Sequence, residues 1–184
     1  MMKIMGAYFE ELYKSEISKN LAKKYNIKNP HCIPFIEKIV VSAGFGKDSG
    51  DKKVFEGTCD EIARITGHKP CYRKSKRAIA GFNLKENQVI AAFVTLRGKI
   101  MYEFLERLIY LSLPRIHDFK GFSKKSFDVH NNFSFGVKDH LIFNELSYDT
   151  IVKNRGLNIM FTIKNAKSKD MACDLLTGFK FPIK

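Results

Sequence analysis

The N-terminal part of the chain carries apolar side chains at a regular helical spacing. These positions recur every four residues and are Met5, Phe9, Tyr13, Ile17 and Leu21. Residues four apart lie on one face of an α-helix, so the pattern predicts an amphipathic N-terminal helix over residues 7–24. The opposite face is rich in lysine, and two interpretations of it stay equally open: a solvated surface, or a face that meets RNA.

Alternating and striped apolar patterns predict the remaining elements. The predicted strands cover residues 36–43, 88–97, 133–137 and 157–164. The predicted helices cover residues 51–66, 100–112 and a last segment that Ser168 caps and Gly178 ends. Residues 88–97 are apolar on both faces, which favours a position inside a sheet. Residues 140–150 show no decisive pattern.

Strands separated by helices predict the α+β class. We expect a mostly antiparallel sheet with helices packed on one face, and with the other face open to RNA. The 184 residues contain no repeat and no low-complexity linker, so we expect a single domain.

The net charge of the chain indicates the kind of partner that it binds. Lys and Arg number 32 against 19 Asp and Glu, a net charge of +13. The positive residues cluster, which favours a polyanion as partner over a merely soluble basic protein. Five cations lie between Lys69 and Arg77 without an acid. We therefore predict that residues 67–98, which end in the strand over residues 88–97, form a nucleic-acid-binding arm mounted on the sheet.

Catalytic and metal chemistry find little support. The four cysteines are scattered, which favours free thiols in a reducing compartment. A structural zinc site needs four ligands, usually in two close pairs, and the sequence has no such set, so we predict no metal and no cofactor. No nucleophile has an evident base and orienting partner, so we predict no catalytic residue and no enzyme. No apolar run is long enough to span a bilayer, and residues 1–12 lack the apolar region of a signal peptide, so we expect no cleavable targeting segment.

Eight motifs, in order and covering nearly the whole chain, resemble a known family. They are TGHKP (66–70), RKSKRAIAGFNL (73–84), VTLRG (94–98), MYEFLERL (101–108), LPRIHDFKGFS (113–123), KSFD (125–128), NFSFGVKDHLIF (132–143) and LLTGFKFP (175–182). This order and these motifs are similar to ribosomal protein five of the large subunit, in its bacterial type.

The resemblance implies a non-catalytic component of the central protuberance. It implies binding to 5S rRNA and large-subunit rRNA through the sheet face and the N-terminal helix, for which the candidate residues are Lys38, Ser42, His68, Thr95, Arg97 and Asn132. It implies that residues 69–80 form a mobile basic loop that projects from the sheet and contacts P-site tRNA, here through Arg73, Lys74, Ser75, Lys76 and Arg77. Residues 82–87 then join this loop to the next strand. It also implies an intersubunit bridge to protein thirteen of the small-subunit head, here through Arg115, Lys120 and Lys138.

Two positions depart from the family's usual residues. Ser42 stands where the family usually has Asn, and His68 where it usually has Gln, whereas Thr95 keeps the family residue. Both replacements still form hydrogen bonds, with a different reach or donor set. The neighbouring proteins of the central protuberance are further expected partners. The ribosome itself is expected in a bacterial cytoplasm or a mitochondrial matrix.

Two other functions stay open at the level of sequence. An RNA-modifying enzyme would require a pocket with perturbed groups near Cys71 or His68. A free-standing RNA chaperone would share the positive charge without being a stable part of the ribosome.

Overall fold

A computed structural model describes residues 6–46, 51–117, 119–147, 151 and 153–184. Its α-helices are α1 (Gly6–Leu12), α2 (Ser18–Lys24), α3 (Lys52–Thr66), α4 (Gly98–Arg107) and α5 (Lys169–Gly178). Its strands are β1 (Phe35–Gly44), β2 (Cys71–Lys74), β3 (Val89–Leu96), β4 (Phe133–Val137) and β5 (Leu157–Lys164). The predicted helices and strands are found with ends shifted by no more than two residues, and the α+β class is confirmed. Met5 of the predicted stripe and residues 148–150 lie outside the described residues.

The strands form one antiparallel sheet in the order β2-β3-β1-β5-β4. β3 has neighbours on both sides, as its two apolar faces predicted. β2 corrects the prediction that residues 69–80 are all loop, because Cys71–Lys74 pair with β3. Without β2 the outer edge of β3 would leave backbone N–H and C=O groups unpaired. The basic segment therefore begins as a strand, and only its continuation is a loop.

The chain divides into two compact units. The first comprises Met1–Ile39, Leu96–Phe135 and Met160–Lys184, and the second comprises Val40–Thr95 and Gly136–Ile159.

The first unit is built around a cluster of phenylalanine rings. Phe133 is completely buried, and its ring centroid lies 4.9–6.0 Å from those of five others. These neighbours are Phe122, Phe127, Phe135, Phe161 and Phe181. Four of these pairs are tilted or edge-on and the Phe133–Phe161 pair is stacked, and such ring contacts add to the gain from burial.

The N-terminal helix consists of α1, a π turn and α2. The spacing of its apolar residues explains why the π turn is there. Four residues of an α-helix advance about 400°, roughly 40° beyond one turn, so a strict four-residue stripe drifts around the helix. The π turn at Tyr13–Ile17 has more residues per turn and counteracts this drift. As a result Phe9, Ile17 and Leu21 are all buried.

In α4, too, a four-residue apolar spacing occurs together with a π turn. Four apolar residues spaced by four are buried, namely Met101, Leu105, Ile109 and Leu113. A π turn at Leu108–Ser112 continues α4 and again keeps the stripe on one side. The predicted helix over residues 100–112 is therefore continuous but not uniformly α-helical.

The second unit contains a buried polar cluster. Glu61 of α3 and His140 are both almost fully buried, with His140 Nε2 3.2 Å from Glu61 Oε2. The Arg155 backbone N–H donates to His140 Nδ1 over 3.1 Å, and the Arg155 carbonyl lies 3.0 Å from the same nitrogen. This nitrogen therefore has a partner in either protonation state of the ring. Burial works to lower the pKa of His140, but the hydrogen bond to Glu61 and its charge outweigh burial and raise it.

We expect Phe133→Ala to lower the free energy of unfolding by about 3–5 kcal/mol, because it empties the centre of the ring cluster. Urea unfolding followed by circular dichroism measures this. Val129→Ala is the control, since Val129 is 89% exposed and its truncation leaves no cavity. A loss below about 1 kcal/mol in the Phe133 variant would show that the cluster is not the core of its unit.

The His140–Glu61 contact predicts a pH-dependent stability. The folded pKa of His140 is raised above the unfolded value of about 6.5. The contribution is therefore complete below that value and is lost as the pH rises through the folded pKa. We expect His140→Gln to destabilise the protein at pH 6, by roughly 3 kcal/mol, and by less at pH 9. Urea unfolding at both pH values measures this, with the exposed His68→Gln as control, and an equal loss at both would contradict it.

Candidate RNA interface

The two faces of β3 differ in exposure. Ala92, Val94 and Leu96 are buried, whereas the alternate residues Ala91, Phe93 and Thr95 are only half-buried. On the buried side, Tyr72 lies opposite Ala92 in the β2–β3 pairing, and its ring packs edge-on against Phe55 of α3 at 4.9 Å. In this unit α3 thus covers one face of the pairing. The face that carries Thr95, called the open face below, retains access to solvent.

Arg73 belongs to the open face. It lies opposite Ala91, so its side chain is on the same side as Phe93 and Thr95. The guanidinium carbon is 4.6 Å from the centroid of the Phe93 ring, a cation–π contact. The guanidinium carries five N–H donors in a planar fork. The prediction placed Arg73 in the loop; the structure places it on a strand, on the same side as Thr95, one of the residues predicted for rRNA.

Ser75 closes the base of the loop. It is buried, and its hydroxyl donates to the Lys85 carbonyl over 2.5 Å. Its backbone N–H donates to Gln88 O over 2.8 Å, and its own carbonyl accepts from Asn87 N over 3.1 Å. The side chain predicted to contact tRNA therefore uses its only donor inside the protein. Lys74, Lys76 and Arg77, predicted with it, are exposed.

The loop ends in a small ordered turn. Ile79 and Leu84 exchange two backbone hydrogen bonds, of 3.0 and 3.2 Å, around the 3₁₀ turn Ala80–Phe82. Phe82 is 73% exposed and Ile79 46%. The sequence pattern assigned residues 82–87 only a connecting role and missed this apolar tip. A phenylalanine inside a turn flanked by cations is the signal that could have identified it.

A second group of cations surrounds Glu37 of β1 in the first unit. Lys164 Nζ lies 2.8 Å from Glu37 Oε1, and this hydrogen bond is the main reason why the pKa of Glu37 is lowered. The positive charges of Lys38 and Arg97 lower it further. Two predicted rRNA residues are thus brought together. Lys164, at the end of β5, joins them although the sequence pattern marked it only as the exposed side of a strand.

The other predicted rRNA residues differ in their surroundings. Ser42 and Thr95 are half-buried on β1 and β3, which are neighbouring strands. His68 is exposed just after α3, where Gly67 ends the helix with a left-handed φ of 72°. Its backbone N–H donates to Thr66 Oγ1 over 3.3 Å.

Asn132 has a structural role. Its Oδ1 accepts from Ile163 N over 3.1 Å, and its Nδ2 donates to Asp128 Oδ2 over 3.0 Å. Burial works to raise the pKa of Asp128, but the hydrogen bonds from Asn132 and from the His130 backbone outweigh burial and lower it. The amide thus joins the turn before β4 to β5. RNA binding by Asn132 stays a prediction, and half of the hydrogen-bonding capacity of its amide is already used.

The residues predicted for the intersubunit bridge are all exposed: Arg115, Lys120 and Lys138. Arg115 and Lys120 belong to the first unit and Lys138 to the second. In the described ranges no three His, Cys, Asp or Glu side chains are grouped so that they could hold a metal ion. His68 and Cys71 are both exposed. No helix of the described part combines the length and apolar character needed to cross a bilayer.

Comparison with known proteins identifies the family. Residues 29–85 match the family model for ribosomal protein L5, and residues 89–183 match the separate model for the C-terminus of the same family. The large ribosomal subunit protein uL5 of Variovorax paradoxus is 44% identical over 178 residues, which cover 97% of this chain and 99% of the relative. Those of Burkholderia vietnamiensis and Burkholderia ambifaria are 43% identical over the same shares. Since both family models match and the relatives are similar over nearly their full length, the chain belongs to the ribosomal protein L5 family.

Proposed function

We propose that this protein binds 5S rRNA and large-subunit rRNA in the central protuberance through its open sheet face, and contacts P-site tRNA through its basic loop. Family membership establishes the coarser part: the protein is a structural, non-enzymatic constituent of the large ribosomal subunit, with rRNA and ribosomal proteins as partners. The interpretation as an RNA-modifying enzyme is thereby excluded.

The proposal for rRNA rests on the functional groups of the side chains on the open face. Arg73, held against Phe93, presents a planar set of donors suited to phosphate. Ser42 and Thr95 add hydroxyl groups, which can pair with the 2′-hydroxyls that distinguish RNA from DNA. In the first unit Lys38, Arg97 and Lys164 add positive charge. Cations that neutralise phosphates release counterions and so provide most of the affinity.

The loop supports a separate contact. Lys76 and Arg77 are exposed beyond the point where Ser75 closes the loop base. A basic loop that stands beyond the paired strands can reach an RNA other than the one on the sheet face. We therefore assign Lys76 and Arg77 to P-site tRNA, with Lys74 at the junction, and assign Arg73 to rRNA instead.

The third surface is the intersubunit bridge. The exposed cations Arg115, Lys120 and Lys138 support a contact with protein thirteen of the small-subunit head, as the resemblance implies. Neighbouring proteins of the central protuberance complete the set of proposed partners. The relatives named above are all from bacteria, which supports the bacterial cytoplasm, rather than a mitochondrial matrix, as the place of this ribosome.

Two single substitutions separate the two RNA contacts. We expect Arg73→Glu to weaken binding of the purified protein to a 5S rRNA transcript by about tenfold or more, since it replaces a phosphate-binding cation on the sheet face. Arg77→Glu is the matched control and should change 5S binding by much less while speeding the release of P-site tRNA from reconstituted subunits. Filter binding and tRNA dissociation measure the two effects. Equal loss of 5S binding in both variants would contradict the assignment of Arg73.

Sedimentation distinguishes a ribosomal constituent from a free-standing RNA chaperone. We expect the protein to comigrate with large subunits in a sucrose gradient at high salt, because many contacts over a folded interface resist screening better than non-specific charge pairing does. Immunoblots of gradient fractions, with ribonuclease-treated lysate as control, measure this. Protein that stays at the top of the gradient at high salt would favour the chaperone.

A further inference from the structure

The apolar side chains at the tip of the basic loop are exposed, so packing within the protein does not explain their presence. The Phe82 side chain is the most exposed of the aromatic rings in the described residues, at 73%. Exposed aromatic rings forgo a large gain from burial, and they are common where a partner supplies the missing contact. Ile79, 46% exposed, lies three residues before it in the same turn.

The backbone holds this ring outwards. The Ile79–Leu84 pair closes the turn, Phe82 N donates to Ile79 O over 3.2 Å, and Asn83 N donates to Ala80 O over 3.0 Å. Asn83 adopts a left-handed φ of 53°, a conformation that asparagine tolerates better than most residues. A turn that is closed before binding loses little conformational entropy on binding.

Charge indicates the partner. Lys76 and Arg77 precede the tip and Lys85 follows it, all exposed, with Glu86 as the one acid between residues 75 and 88. A ring flanked by cations matches unpaired RNA, in which a base offers its face for stacking while the phosphates bind the cations.

We propose that Phe82 stacks on an unpaired base of a folded RNA and fixes the position of the basic loop there. The inference rests on the proposed function and adds to it an aromatic contact, since the residues assigned above bind through charge and hydrogen bonds. The base can belong to tRNA or to rRNA, and both are therefore tested.

The sequence allows a direct reporter because it contains no tryptophan. Phe82→Trp creates a protein with a single tryptophan at the tip. Val129→Trp is the matched control, because Val129 is 89% exposed in a different turn. Each variant of the full chain is titrated with a tRNA transcript, a 5S rRNA transcript and a fully paired RNA duplex, while filter binding records complex formation independently.

We expect the tryptophan at position 82 to be quenched, and shielded from acrylamide, by one of the two folded RNAs and not by the duplex. The tryptophan at position 129 should change little with any of them. The folded RNA that quenches identifies the source of the base. A tryptophan at position 82 that stays accessible in complexes that do form overturns the stacking proposal and leaves the tip to a protein partner. If neither folded RNA binds, the proposed function fails as well.

Affinity provides the second measurement. For the RNA that quenches the tryptophan at position 82, we expect Phe82→Ala to weaken RNA binding roughly 5- to 100-fold, the range for one stacked base. Phe82→Leu keeps apolar area without an aromatic face and should behave like the alanine variant, whereas Phe82→Tyr should retain binding. Leucine binding as tightly as phenylalanine would overturn stacking in favour of simple apolar contact. Unfolding in urea should be nearly unchanged in all three variants, because the side chain is exposed.

Discussion

The alternation of buried and more exposed side chains along β4 and β5 is the constraint on which the other features depend. In β4 and β5 the buried positions are Phe133, Phe135 and Val137, and Leu157, Ile159, Phe161 and Ile163. Because successive side chains of a strand point to opposite faces, a shift of one residue in pairing would bury the polar set and expose the phenylalanines. The apolar face therefore determines the register, and the register determines which polar groups reach the open face.

In the second unit a buried polar cluster positions the chain in addition to the apolar packing. His140 connects Glu61 of α3 to the backbone of Arg155, which directly precedes Gly156 and β5. The Arg155 guanidinium in turn lies over the Phe45 ring, at 5.5 Å, just after β1. Breaking a buried pair of this kind leaves an uncompensated charge. Displacing any one partner is therefore costly, and the partners fix one another's positions. His140 and Arg155, which both lie between β4 and β5, are held in this way.

Periodicity predicted most of the fold, and its limits have physical causes. It located the N-terminal helix correctly but not the π turn, although the exact four-residue spacing from Phe9 to Leu21 contains that information. It missed β2, because Cys71–Lys74 is exposed at every position and its pairing with β3 depends on residues about twenty positions away. Spacing alone also could not separate the side chains of Ser75 and Asn132, which bond within the protein, from the exposed cations around them.

The pairing of β2 with β3 supports the proposed division of the basic segment between rRNA and tRNA. The Arg73 guanidinium lies over the Phe93 ring, and a cation–π contact contributes about 0.5–1 kcal/mol at an exposed site, enough to restrict the guanidinium before any ligand arrives. Within the described ranges no aromatic ring forms a cation–π contact with Lys76 or Arg77, and long side chains of this kind lose entropy when they bind. A cation oriented in advance suits a fixed surface such as rRNA assembled once into the subunit. Flexible cations around a closed turn suit a ligand that arrives and leaves repeatedly, as tRNA does.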